Sequence, residues 1–205
     1  MKTAVLALAA VAIGFVANSA AAQESPWLVR VRAVNIEPVN KSDAFSDGIA
    51  GSDAISVSNK TIPELDISYF FTPNIAAELI LTYPQKLDVS VDGLGNIGTF
   101  KALPPTLTAQ YHFLPTNSID PYVGAGINYT NISSQNLLGG VVTLDHKSFG
   151  GALQAGVDFK IDKNWSINLD LKKVWISSDV YIEGTKVSNA QLNPLLVGVG
   201  VGYRF

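Results

Sequence analysis

The chain has 205 residues, 47% of them hydrophobic and 15% charged, with a formal net charge of −3 and no cysteine. The missing cysteines exclude a disulfide scaffold and a thiolate metal site. Mild acidity without a basic stripe excludes nucleic acid as a partner, and the length fits one domain.

Residues 1–22 read as a secretory signal peptide outside the fold. Lys2 gives a positive start, Ala4 to Val16 is an apolar run, and Ala20-Ala21-Ala22 fits a small-residue cleavage site. The run is too short to span a bilayer, and no later stretch offers eighteen consecutive apolar residues. The domain is then 23–205, exported and beginning at Gln23.

Eight strands follow by period-two alternation. Strand one, 27–36, puts Trp27, Val29, Val31 and Ala33 on one face and Leu28, Arg30, Arg32, Val34 and Ile36 on the other. Residues 38–60 are rich in Ser, Asp and Gly and read as a loop. Strand two, 62–71, opposes Leu65, Ile67, Tyr69 and Phe71 to Asp66 and Ser68, and Thr72-Pro73-Asn74 is a tight turn. Strand three, 75–83, opposes Ile75, Ala77, Leu79, Leu81 and Tyr83 to Glu78, Ile80 and Thr82. A long excursion, 84–101, precedes strand four, 106–113. Strand five spans 122–132, a third long loop 133–147, strand six 148–161, the turn Asp162-Lys163-Asn164, strand seven 165–176, and a fourth long loop leads to the C-terminus.

The last eleven residues, Leu195 to Phe205, decide the class. Leu195, Val197, Val199, Val201, Tyr203 and Phe205 form an unbroken apolar face, while Gly198, Gly200 and Gly202 leave the other nearly bare up to Arg204. Eleven residues is the length of a tilted strand crossing a bilayer. Connections alternating long and short around an even strand number are the mark of an all-β, eight-stranded antiparallel transmembrane β-barrel with short periplasmic turns and longer extracellular loops. Phe149 and Phe159, like Trp165 and Trp175, are ten residues apart. At roughly 3.3 Å per residue and about 40° of tilt this climbs about 25 Å, the height of the lipid-facing band between aromatic girdles. Lys173 shares Trp175's phase, so it must reach the headgroups or a bulge must shift the phase.

The terminal Phe205 resembles the assembly signal of bacterial outer-membrane barrels, which implies the barrel assembly machinery as a partner. Leu103-Pro104-Pro105-Thr106, Gln110-Tyr111-His112-Phe113, the run from Pro121 to Tyr129, Leu169-Asp170-Leu171-Lys172-Lys173 and Gly202-Tyr203-Arg204-Phe205 resemble, in order and spacing, the outer membrane protein W (OmpW) family. The resemblance covers the mature chain. It implies an eight-stranded barrel in the Gram-negative outer membrane that passes small hydrophobic molecules, has no enzymatic activity and uses no cofactor. Some members also serve as bacteriocin receptors.

If the apolar face meets lipid, the other lines the lumen. Its periplasmic half offers Arg30, Arg32, Lys172 and Arg204 against Asp66, Glu78, Asp158 and Asp170, a balanced set that favours a structural plug. Its external half offers Val34, Ile36, Ile62, Ile132, Val174, Ile176 and Leu196, which fit either an apolar funnel for a modest hydrophobic guest or plain packing against the loops. Pro84 and Pro104 lie equidistant from Leu94, and Pro105 adds a third proline. Proline cannot donate to a ladder, so these positions mark either a lateral seam toward the outer leaflet or bulges above the membrane. Of the two histidines, His112 is interior and His146 lies in a loop, and neither joins a recognisable triad or metal set. The functional expectation is passive passage of small hydrophobic molecules through an apolar upper lumen with sideways release into outer-membrane lipid. The rival is a structural or surface-interaction barrel with a filled, non-conducting lumen.

Overall fold

The computed structural model describes residues 25–44 and 51–205. The expected signal peptide, residues 1–22, lies outside the described residues. Among the described residues, fifteen strands make one antiparallel sheet. In chain order they are β1 (Trp27–Glu37), β2 (Lys41–Ser42), β3 (Ile55–Val57), β4 (Lys60–Phe70), β5 (Ile75–Leu81), β6 (Gln85–Val91), β7 (Gly95–Leu103), β8 (Thr106–His112), β9 (Ile119–Leu137), β10 (Val142–Leu144), β11 (Lys147–Lys160), β12 (Trp165–Val174), β13 (Ser177–Ile182), β14 (Thr185–Gln191) and β15 (Leu195–Arg204).

Eight of these close the barrel. β1 pairs with β4, β4 with β5, then β8, β9, β11, β12 and β15 follow in turn, and β15 returns to β1 from Leu28↔Arg204 to Glu37↔Leu195. Closure leaves no membrane-embedded edge, as a bilayer requires of any spanning sheet. The alternation holds along every wall strand: Val197, Val199 and Val201 stand out half-exposed, while Gly198 and Gly202 face inward. Those glycines make room for arginine. A Cβ on Gly200 would lie 2.1 Å from the Val31 carbonyl oxygen and 2.8 Å from Arg32 Cγ. The bare face of β15 is therefore the slot in which the stems of Arg30 and Arg32 lie.

The periplasmic ends are pinned by local side-chain bonds. The Asp162 carboxylate accepts the N–H groups of Trp165 at 2.7 Å and Asn164 at 2.8 Å, and Thr72 Oγ1 accepts that of Ile75 at 3.0 Å. Edge-to-face pairs of Trp27 with Tyr69 and Trp165 with Tyr203 lie near these ends on the lipid face. Lys173 does reach out of the band: its ammonium donates to the Asn193 carbonyl oxygen in the external loop.

Most of the external excursions is strand where the sequence predicts loops; of the expected loop 38–60, residues 45–50 lie outside the described residues. Residues 85–103 form the hairpin β6–β7, residues 177–191 the hairpin β13–β14, and β9 runs on to Leu137 instead of stopping near 132. Short strands β2, β3 and β10 join them. Here the outward face meets water, so Lys86, Asp88 and Lys101 replace the aliphatic residues of the lipid face while Leu87, Val89 and Phe100 still point in. That polar half gives the segments a loop-like composition. The β6–β7 turn is centred on Gly93 (φ +80°), which tolerates the left-handed backbone, and not on Leu94. With a bulge between Val89 and Ser90, this offsets Pro84 from Pro104 instead of setting them face to face.

Candidate functional site

The lower lumen is filled by a polar network. Arg30 donates to both Asp158 carboxylate oxygens (3.2 and 2.5 Å), to Glu78 (2.7 Å) and to Ser68 (3.0 Å). Arg32 donates to Asn168 (2.7 Å), Glu64 (3.3 Å) and Tyr122 (3.2 Å), and its Nη1 lies 2.8 Å from Asp66. Lys172 donates to Glu64 at 2.8 Å. Gln154 hands its amide hydrogens to Glu78 (2.9 Å) and Asp170 (2.7 Å), and the Tyr122 hydroxyl gives its proton to Asp170 (2.7 Å). Each charge taken from water costs several kcal/mol unless it is matched in this way. The members of this mesh are buried, each no more than 5% exposed.

Seven of the eight residues expected in this floor are there. Arg204 sits instead at the periplasmic mouth, its guanidinium 4.3 Å from the Phe70 ring and its Nε donating to the Ser25 carbonyl at 2.9 Å. Glu64, which shares the parity of Asp66, joins the floor. Three permanent cations, Arg30, Arg32 and Lys172, therefore meet five carboxylates. Tyr122, Gln154 and Asn168 are the neutral residues that bridge them. Gly156 makes the space for Tyr122, since a Cβ there would come within 2.4 Å of the phenol ring. His112 Nδ1 faces Asp120 at 2.9 Å beneath the floor, stacked on Tyr122, while His146 is exposed at the external end.

Above Glu64 and Lys172 the same inward face turns apolar. A space of ≈ 800 Å³, solvent at its mouth included, is walled by Ile36, Ile62, Ile132, Val174, Ile176 and Leu196 among others. Val34, the remaining member of the expected set, is buried against Ile62, Val174 and Leu196 but does not border the space. A second space of ≈ 910 Å³ lies among the external hairpins, with Val89, Val91, Leu137, Val142 and Val180 in its lining.

The wall beside the lower chamber is incomplete. The β5–β8 ladder ends at Ile80↔Thr106 and the β6–β7 ladder starts at Gln85↔Ala102. Among the described residues, no backbone–backbone hydrogen bond joins Thr82, Tyr83 or Pro84 to a neighbouring strand. On the other flank the β4–β5 ladder stops at Leu65↔Leu81, just short of Pro63. Among the described residues, side chains tie this segment only to β4 and to itself: the Thr82 hydroxyl donates to the Pro63 carbonyl of β4 (3.0 Å), and Gln85 Nε2 donates back to the Tyr83 carbonyl within the same segment (2.9 Å). The β9 side is closed, with the Tyr129 N–H on the Pro105 carbonyl at 3.1 Å.

The OmpW family model matches residues 23–205, the whole barrel and its external hairpins. The chain belongs to the OmpW family. Among its OmpW-like relatives, it is 43% identical over 192 residues to the uncharacterized outer-membrane protein y4mB of Sinorhizobium fredii, covering 90% of this chain and 82% of that one. It is 31% identical over 218 residues to outer membrane protein W of Escherichia coli, covering all of both. The crystal structure of OprG from Pseudomonas aeruginosa superposes with a TM-score of 0.75 at 22% identity, over 89% of this chain and 97% of that one, and shares the fold. The protein is thus a Gram-negative outer-membrane barrel surrounded by membrane lipid.

Proposed function

We propose that this OmpW-family barrel gives small hydrophobic molecules passive passage from the external hairpins into the apolar upper lumen, and releases them sideways between β5–β6 and β7–β8 into the outer leaflet. The observation that carries this reading is the apolar chamber lying directly on a buried ionic floor and beside a wall segment without backbone bonds. A guest entering from above meets aliphatic surface worth about 25 cal/mol per Å² buried, then a buried ionic mesh. The downward route would require dismantling that mesh, whereas the lateral route passes between the end of one ladder at Ile80↔Thr106 and the start of the next at Gln85↔Ala102. Pro63, Pro84, Pro104 and Pro105 favour it because none can supply an N–H to restitch the ladder. Assembly into the membrane is assigned to recognition of Phe205 by the barrel assembly machinery.

Uptake of an apolar tracer into liposomes tests passage. Native protein should exceed empty liposomes, and Val34→Asp and Ile176→Asp should abolish most of the difference by placing a carboxylate in or just under the chamber. Equal uptake by native and substituted protein would instead support the filled structural barrel. Replacing Pro84 and Pro104 with Thr tests the exit, since the restored donors should slow uptake without changing the chamber.

A further inference from the structure

The two apolar spaces have three lining residues in common: Val57, Phe100 and Leu192. They come from three separate external segments, β3, β7 and the end of the β13–β14 excursion. Phe100 is the only aromatic among them and is 1% exposed. Its placement has a backbone cause. The β7–β9 ladder runs Thr99↔Asn136 and then Lys101↔Ser133, so Ser134 and Gln135 of β9 stand opposite Phe100 alone. Ser134 takes a positive φ of 49°. A bulge of this kind kinks a strand and re-aims the side chain beside it. The kink is clamped, because the Gln135 side-chain amide accepts the Leu144 N–H at 2.6 Å and donates to the Leu144 carbonyl at 2.9 Å.

Resting on the passage reading above, we infer that Phe100 is the partition between an outer and an inner chamber, and that its ring sets the cross-section of the solute that crosses. The backbone at this point is held, so the opening is made by the ring swinging about its own side-chain torsions between Val57 and Leu192. Neither neighbour offers a hydrogen bond, and the outer chamber is lined almost wholly by aliphatic side chains. The solute class is therefore neutral and apolar, and slender or flat. A planar aromatic gains an offset stack on the ring as it passes, while a globular hydrocarbon of equal carbon number is held back.

The test uses full-length protein in liposomes with two tracers, one linear or flat and one cage-shaped. Phe100→Ala should raise the ratio of cage to linear uptake on the order of tenfold, the scale at which an apolar pocket discriminates by shape. Phe100→Leu, which keeps most of the packing, should fall between. Because the chain has no cysteine, Phe100→Cys supplies a single thiol. Capping it with a benzyl disulfide should depress uptake of both tracers, and reductant should restore it. Folding of each variant is checked by its compact migration in unheated detergent gels. If native protein takes up the linear tracer but the ratio is the same in Phe100→Ala and capping has no effect, the partition is wrong and passage stands. If native protein takes up neither tracer beyond empty liposomes, passage fails and the partition with it.

Discussion

The two halves of the lumen are built on the same strands and the same inward parity, yet one is full and the other hollow. Below, Arg30, Arg32, Gln154 and Tyr122 are long and polar, and each can end its reach on another member of the set. Above, Ile62, Val174 and Leu196 are short and branched, and they cluster with one another while leaving a space at their side. Polar side chains close a narrow barrel because their satisfaction demands convergence, whereas aliphatic ones of this size leave the centre open. A strand thus chooses between plug and chamber by side-chain chemistry alone.

Breaking the floor should have the largest effect. Arg30→Ala strands Glu78 and Asp158 in a dry interior and should cost about 3–5 kcal/mol, read as a lower urea midpoint in lipid vesicles. A mild trespass on the upper half sharpens the contrast: Val174→Thr keeps the volume but adds a hydroxyl with little to bond, at about 1–3 kcal/mol, and tracer uptake should fall several-fold. An Ile62→Val change there should leave uptake nearly intact, because the surface stays apolar. The smallest effect should come from a site in neither half. The Asp162 carboxyl is held below its usual value by the N–H groups of Trp165 and Asn164. Its contribution is present above the ordinary carboxylate pKa of about 4 and is lost as pH falls through the lowered folded value. The stability gap between native protein and Asp162→Ala, measured by urea titration, should accordingly be slight at pH 7 and vanish in acid.

The barrel was legible because lipid imposes one rule on every wall strand, and alternation reports it without knowledge of partners. The floor was legible in kind for the same reason: Asp66, Glu78, Asp158 and Lys172 are charges on an inward parity. Glu64 carries that signal too, since it lies within strand two as read, 62–71, on the parity of Asp66. Arg204 has the right parity but lies one residue from the chain end, where the wall runs out and its guanidinium finds the Phe70 ring instead. The external hairpins were hidden because water on their outer face swaps aliphatic for charged residues. Phe100 could not be found by spacing at all, since its aim depends on a bulge in β9, more than thirty positions away.

The ladders of the outer chamber have one more consequence, for dwell time. At about 3.3 Å per residue and about 40° of tilt, the 19 residues of β9 rise ~48 Å, so the receptacle stands above the membrane as a rigid cup and not as a set of waving arms. Its shape is fixed during folding, and no arriving guest has to freeze it. On the passage proposed above, a guest held by desolvation would leave as readily as it comes. Weak grip and quick turnover are what the proposed passive passage needs.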